Sequence, residues 1–325
     1  VSIDLAHQVT REPWGLNVLY PFAPDDPADL PPPMTPIYYT WVVTLTDGAR
    51  AALNDELFYA DPRFDWETTA NDWLTLYTYS SSLNTARLAE SLQPIYDLLS
   101  QQANTAPTFR VVLYEPGDGY CPPALDLTPT AISMSEPGQT PAPTPTPLPA
   151  CDPGAIDKVY RDAGIIPVRR RNANLQELQK VLANNMAKAV WRAVWGSTEV
   201  PAWFAEGLAQ LYEPAPPPGA MTLAQNAVRA GTAYDASALL VAPATNLHTR
   251  NRDPWYAQSV AMTLYLVDRY GPEAPARIAR AIPLHPSFDE ALISVTARDP
   301  AAHLSRWRTW VLSDAAQVGN TWTPY

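Results

Sequence analysis

The sequence predicts an α+β protein of two domains, with a β-rich first domain and a mainly helical last region. The 325 residues exceed what one ordinary domain needs. Short segments of alternating polarity, separated by turn signals, occupy the first part, and amphipathic segments with capping residues occupy the last part. Hydrophobic residues make up 46% of the chain and charged residues 17%, which is enough apolar mass for a core.

The first domain, residues 1–66, consists of short predicted strands. Residues 1–5 and 16–20 alternate apolar and polar side chains, which is the period of a half-buried strand. Residues 37–45 are rich in β-branched and aromatic side chains and end at the hairpin signal Asp47-Gly48, after which residues 56–60 form a return strand. Strands of this kind, without a helix, predict an immunoglobulin-like or fibronectin-like β-sandwich.

The second domain, residues 67–325, begins after a boundary that we place at residues 65–70. Residues 73–79 alternate as a strand, an amphipathic helix follows Ser82, and residues 109–114 form another strand. The order strand, helix, strand is typical of an α+β domain.

The rest of this domain is predicted to be mainly helical, because capping and stop signals recur at helix spacing. Asn174 with Glu177 resembles a capping box, and this helix ends near Gly196. The four later helices are a helix that opens at Pro201, a helix over 256–270 that stops at Gly271-Pro272, a helix capped by Ser287 with Glu290, and a helix from Asp299-Pro300 to about residue 313.

The charge balance argues against nucleic-acid binding. The net charge is −11 and the isoelectric point about 4.8, whereas sequence-independent binding depends on phosphate neutralisation by Lys and Arg. The only basic run, residues 169–171, is too short for a nucleic-acid footprint. No apolar run is long enough to span a bilayer.

Cys121 and Cys151 flank a Pro/Thr-rich loop over residues 122–150. The two cysteines predict a disulfide that closes this loop in an oxidising compartment; the alternative is two unrelated buried thiols. The tract 140–147 favours polyproline II and could carry O-glycans. We therefore expect an extracellular or cell-envelope protein with its signal peptide removed, although a trimmed chain would also begin at Val1.

Two segments carry a family resemblance: residues 182–188, LANNMAK, and residues 203–209, WFAEGLA. A zinc-peptidase helix has the motif H-E-x-x-H, and here its three functional places hold Asn184, Asn185 and Lys188. Glu206 follows Lys188 by 206 − 188 = 18 residues, the interval of a third zinc ligand.

The chain thus resembles the gluzincin, peptidase MA-like metallopeptidases, which are thermolysin-like in fold, and especially secreted bacterial members with a sandwich domain in front. Residues 59–66, 87–113, 255–270, 288–292 and 307–310 also match the order of segments in this family. The resemblance implies a thermolysin-like second domain and vestigial metal-site positions at Asn184, Asn185, Lys188 and Glu206.

The departure from the family lies in the chemistry. Amides are poor zinc ligands, and without a Glu at position 185 nothing there can deprotonate a metal-bound water. The only histidines, His7, His248, His285 and His303, are not paired at i,i+3 or i,i+4. We therefore expect a pseudoenzyme that needs no metal or other cofactor.

Lys188 offers a replacement for the metal. We hypothesise that its ammonium reaches Glu206 and supplies the positive charge that zinc would carry; the alternative is an ordinary exposed helix lysine. Tyr256, Tyr265 and Trp203 either belong to the core, which we favour, or line a vestigial cleft.

Three functions follow from the sequence. The first is a non-catalytic secreted or surface protein that binds a protein, peptide or glycan. The second is a self-assembling structural subunit of an extracellular layer or filament. The third is an active hydrolase with a non-zinc mechanism, although no G-x-S-x-G elbow is present.

Overall fold

The computed structural model describes residues 9–12, 15–18, 34–44, 47–60, 64–80, 82–114, 160–161, 164–169, 174–215, 219–243 and 253–317. Helices and small sheets coexist in it, so the predicted α+β class is confirmed. The chain divides into two compact units. The first comprises Val1–Arg63 and Gly119–Ala163, and the second comprises Phe64–Asp118 and Gly164–Tyr325. The domain ranges 1–66 and 67–325 stay predictions.

The described part of the first unit contains two antiparallel pairs of strands. β1 (Val9–Glu12) pairs with β2 (Gly15–Val18), and β3 (Thr35–Thr44) pairs with β4 (Arg50–Tyr59). The turn between β3 and β4 contains Gly48 at φ +85°, a conformation that favours glycine.

These strands differ in part from the predicted ones. β4 is longer than the predicted return strand 56–60, and β1 was not predicted. The predicted strand 1–5 lies outside the described residues. Two separate pairs of strands do not by themselves make a sandwich, so the β-sandwich stays a prediction.

The second unit has one four-stranded sheet in the order β5-β6-β7-β8. β5 (Glu67–Ala70) is antiparallel to β6 (Leu74–Thr78), whereas β7 (Phe109–Tyr114) and β8 (Ile165–Arg169) continue the sheet in parallel. The crossover between β6 and β7 is α1, Thr85–Ala103. The sequence placed a boundary over residues 65–70, yet residues 67–70 form the edge strand of this sheet.

Seven further helices follow in the described part of the second unit. They are α2 (Leu175–Trp195), α3 (Ala202–Gln210), α4 (Ala220–Arg229), α5 (Pro254–Tyr270), α6 (Ala274–Ala281), α7 (Phe288–Thr296) and α8 (Pro300–Val311). α4 and α6 were not predicted. Both begin without a side-chain cap, so the sequence carries no start signal for them.

The predicted caps behave as expected. The side chains of Asn174, Ser287 and Asp299 accept the backbone N–H groups of Glu177, Glu290 and Ala302 at 2.9, 3.3 and 2.8 Å. At α1, which the sequence predicted after Ser82 without naming a cap, Asn84 is the cap and accepts the N–H of Arg87 at 2.9 Å.

Helix α5 runs through the core and is buried along almost its whole length, from Trp255 to Val267. Its buried hydroxyl groups bond within the helix: Ser259 donates to the Trp255 carbonyl at 2.9 Å and Thr263 donates to the Ser259 carbonyl at 3.0 Å. Among the described helices, none combines the length and the apolar character needed to cross a membrane.

Candidate functional site

The candidate site lies between α2 and α3. Lys188 Nζ on α2 is 2.5 Å from Glu206 Oε2 on α3, so the predicted contact between these residues is confirmed. Only 7% of the Glu206 side chain is exposed, against 32% of the Lys188 side chain. The carboxylate is therefore buried while the lysine reaches it from the surface. A buried carboxylate needs such a partner to remain ionised.

Helix α3 is held in place at its start and in its middle. Pro201 offers no side-chain cap, and the N–H groups of Ala202 and Trp203 donate instead to the carbonyls of Leu240 and Leu239, each at 3.1 Å. One residue after Glu206, Gly207 lies directly against α5. These contacts fix the helix that carries Glu206.

Gln210, one turn after Glu206, contacts the other oxygen of the same carboxylate. Its Nε2 donates to Glu206 Oε1 at 3.0 Å, so the two carboxylate oxygens face an ammonium and an amide. Gln210 is itself buried, and its Oε1 accepts no hydrogen bond from the residues that the structure describes.

A second buried carboxylate, Glu213, lies one further turn along the chain. Lys180 Nζ is 3.4 Å from Glu213 Oε2, and Asn184 Nδ2 donates to Glu213 Oε1 at 2.9 Å. The two units, Lys188–Glu206–Gln210 and Lys180–Glu213–Asn184, each join a lysine, a glutamate and an amide. The positive charges of Lys180 and Lys188 balance the negative charges of Glu206 and Glu213.

Glu213, Gln210 and Lys180 were not predicted as site residues from the sequence. A signal for them existed. Lys180, Asn184 and Lys188 recur at i,i+4,i+8, which places them on one face of a helix. Glu206 and Gln210 recur at i,i+4 on α3, and Glu213 follows three residues after this helix ends.

The structure separates two of the residues that the resemblance grouped together. Asn184 is buried and its amide bonds Glu213, not Glu206. Asn185, which the resemblance aligns with the catalytic Glu, is the next residue along the helix and is only half-buried. Of the four positions that the resemblance grouped, Lys188 and Glu206 are in direct contact.

These residues do not fit a zinc ion. The Asn184 amide nitrogen is committed as a donor to Glu213. The Lys188 ammonium contacts Glu206 Oε2 at 2.5 Å, so the positive charge that a metal would supply is already present there. Within the described ranges, no three His, Cys, Asp or Glu side chains are arranged to hold a metal.

Trp203, Tyr265 and Tyr256, the three residues suggested for a cleft, pack against other rings. Trp203 and Tyr265 are buried, and both rings contact the His303 ring, at centroid distances of 5.7 and 5.1 Å. Tyr256 is half-buried and lies edge-on to Trp255 at 5.0 Å. Trp203 and Tyr265 are thus core residues, as the favoured alternative held, and have almost no surface to offer a ligand.

His303, which the sequence analysis did not single out, is the buried centre of this aromatic cluster. Burial alone lowers the pKa of its imidazole to about 4. Neither ring nitrogen has a hydrogen-bond partner among the described residues. The folded chain therefore holds this imidazole neutral at neutral pH.

No known protein-family model matches the sequence, and no curated protein matches it. Cys121, Cys151, the loop 122–150 and the tract 140–147 all lie outside the described residues, so the disulfide and the O-glycans stay predictions.

Proposed function

We propose that this chain is a non-catalytic protein of the cell surface or extracellular space, built on a gluzincin-like scaffold in which a lysine replaces the metal. In this proposal it binds a protein, peptide or glycan. The single observation that supports it best is the contact of 2.5 Å between Lys188 Nζ and Glu206 Oε2. A carboxylate at the third-ligand position is retained, and its counter-charge is supplied from the second-ligand position by the protein itself.

The donor chemistry supports the loss of hydrolysis. Position 185 has an amide, which cannot accept a proton from water at neutral pH, and position 184 has an amide engaged with Glu213. The purified chain should therefore not hydrolyse casein or short peptides. Hydrolysis that disappears in the Glu206→Gln variant would overturn the proposal.

The scaffold is tested by restoring ligands. In the double variant Asn184→His/Lys188→His, two imidazoles at i,i+4 would supply, together with Glu206, the ligand set of a gluzincin. We expect this variant to bind one Zn²⁺ in a calorimetric titration and to melt at a higher temperature when zinc is present. Adding Glu206→Gln should weaken binding by more than the roughly 10–100-fold that loss of an outer-shell partner costs.

The matched control is Ala189→His/Ala193→His, which places the same i,i+4 pair on the exposed face of α2. If the control binds zinc as tightly as the double variant, or if Glu206→Gln has no effect, the helix pair lacks the gluzincin geometry. The scaffold part of the proposal would then be wrong.

The binding part is tested with defined ligands. The immobilised chain is presented to a peptide array and a glycan array, and dissociation constants of the hits are compared between the native chain and Lys188→Gln. A partner that uses the site should lose at least about tenfold in affinity, or ~1.4 kcal/mol. Arg229→Gln, which removes an exposed cation at the end of α4, should have no such effect. No hit on either array would contradict the binding function.

One observation favours the alternative of a self-assembling structural subunit. Tyr38 and Val42 on one face of the β3–β4 hairpin, and Leu53 and Leu57 on the other face, are each more than half exposed. A two-stranded ribbon is marginally stable alone and gains from further pairing. In this alternative the chain sediments as a concentration-dependent oligomer, and Leu53→Ser/Leu57→Ser returns it to a monomer; a monomer at all concentrations would exclude it.

A further inference from the structure

Lys180, Asn184 and Glu213 form a largely buried triad of an amine, a carboxamide and a carboxylate. Asn184 Nδ2 donates to Glu213 Oε1 at 2.9 Å, and Lys180 Nζ lies 3.4 Å from Glu213 Oε2. One carboxylate thus touches both an amine and a carboxamide. The Glu213 side chain has no exposed surface, and only 16% of the Lys180 side chain is exposed.

The amine and the carboxamide are also neighbours on the helix. Lys180 and Asn184 are four residues apart on α2, and side chains at i and i+4 lie on the same face with their Cβ atoms about 5–6 Å apart. A lysine side chain is long enough to cover that gap. Its Nζ and the Asn184 side chain already meet at the same carboxylate.

We propose that Lys180 and Asn184 become joined by an intramolecular isopeptide bond, with Glu213 transferring the protons. The lysine ammonium first gives a proton to Glu213. The free Nζ then attacks Asn184 Cγ and forms a tetrahedral intermediate.

The collapse of this intermediate completes the reaction. Glu213 delivers its proton to Nδ2, which it already contacts, and takes another proton from Nζ. The Cγ–Nδ2 bond breaks and ammonia leaves. One amide bond forms and one breaks, so no oxidant or other co-reactant is needed. Glu213 ends as a neutral carboxylic acid.

Burial favours this outcome. The starting ion pair places two charges in the protein interior, where desolvation disfavours both. The product has a neutral secondary amide and a neutral acid in their place. Ala183 and Ala187, which flank Asn184 on α2, are fully buried, so water has little access to compete with Nζ for the carbonyl carbon.

The Lys188–Glu206–Gln210 unit has the same three kinds of group and serves as an internal comparison. Twice as much of the Lys188 side chain is exposed, at 32% against 16% for Lys180, so its ammonium keeps more of its hydration. Its amide, Gln210, also belongs to the opposite helix. The isopeptide bond is therefore assigned to Lys180 and not to Lys188.

Mass spectrometry of the fully unfolded chain tests the proposal. We expect the native chain to be lighter than its sequence by one ammonia molecule. Trypsin should not cleave after Lys180, because the amide-linked lysine is no longer a substrate, so residues 172–188 should appear as one peptide with the same deficit. Glu213→Gln and Lys180→Arg should each restore the full mass.

Lys180→Arg is the decisive variant. Arginine keeps the positive charge beside Glu213 and so keeps the fold, but its guanidinium is not acylated by the Asn184 side chain. Lys158→Arg, which changes a lysine outside the triad, should retain the deficit. Three results would each overturn the assignment: the full sequence mass in the native chain, a cross-link mapped to Lys188, or a deficit that persists in Lys180→Arg. The last would indicate a succinimide at Asn184-Asn185, which also releases ammonia.

Discussion

Gly207 of α3 and Thr263 of α5 approach so closely that no side chain fits between them. A Cβ at position 207 would lie 2.5 Å from the Ser259 carbonyl oxygen and closer still to Thr263 Oγ1. The crossing therefore depends on glycine, although position 207 is inside a helix. Because Glu206 is the preceding residue, this crossing also sets where the buried carboxylate lies.

The Gly207→Ala substitution should lower the free energy of unfolding by about 1–3 kcal/mol, the usual cost of overpacking. Alanine is a better helix former than glycine by about 1 kcal/mol. A loss of stability would therefore show that packing against α5 dominates, and a gain would show that helix propensity dominates. Urea denaturation measures it. Thr263→Ala in the same background should rescue only part of the loss, because the Ser259 carbonyl is backbone; a more stable Gly207→Ala chain would mean that the helices are further apart.

The Lys188→Met substitution should leave Glu206 buried without its cation. Breaking a buried pair costs about 3–5 kcal/mol, and an exposed pair is worth about 0–1 kcal/mol. Since Lys188 is part-exposed, we expect a loss of about 1–3 kcal/mol in urea denaturation.

The double variant Lys188→Met/Glu206→Gln should recover most of that loss, because Gln neutralises the buried group and keeps its shape. If the single variant Lys188→Met and the double variant are equally stable, the stabilising effects of Lys188 and Glu206 do not depend on each other. Lys158→Met provides the control for removing a lysine elsewhere.

His303 should make the chain sensitive to acid. Its pKa is lowered by burial from 6.5 to about 4, so the unfolded chain binds more protons between these values. The stability associated with the neutral imidazole is complete above pH 6.5 and falls as the pH drops toward 4. The difference between these two pKa values corresponds to about 3 kcal/mol in the free energy of unfolding.

The His303→Phe variant keeps a ring against Trp203 and removes both buried ring nitrogens. Its stability, measured by urea denaturation from pH 7 to pH 4, should fall less steeply than that of the native chain. If the stability of the two chains falls equally between pH 7 and pH 4, His303 is not the source of the acid sensitivity. At pH 7 the variant should be at least as stable, because two buried polar atoms without partners are gone.

Gln258 should contribute more to the free energy of unfolding than a glutamine on the surface does. It is fully buried on α5, accepts the backbone N–H of Tyr234 at 2.9 Å and donates to the Tyr234 carbonyl at 3.0 Å. Gln258→Met keeps the volume and leaves both backbone groups without this partner. We expect a loss of about 1–3 kcal/mol in urea denaturation, whereas Gln179→Met, on a part-exposed position of α2, should cost less.

Local hydrogen bonds explain why part of the fold was predictable. A capping side chain and the N–H group that it satisfies are three residues apart, so Asn174, Ser287 and Asp299 identify helix starts directly in the sequence. Helices α4 and α6 begin without such a cap, and β8 is a short strand that pairs with β7, which is distant in the sequence. Nothing local distinguishes these elements.

The sequence alone determined the α+β class and most helix starts, because periodicity and capping signals are local. The candidate Lys188–Glu206 contact came from the resemblance to the gluzincins. The tertiary structure decided which partners meet. It paired Asn184 and Lys180 with Glu213, and it enclosed His303 between Trp203 and Tyr265. These contacts depend on how α2, α3, α5 and α8 cross, and a crossing is set by packing between residues distant in the chain, which no local pattern records.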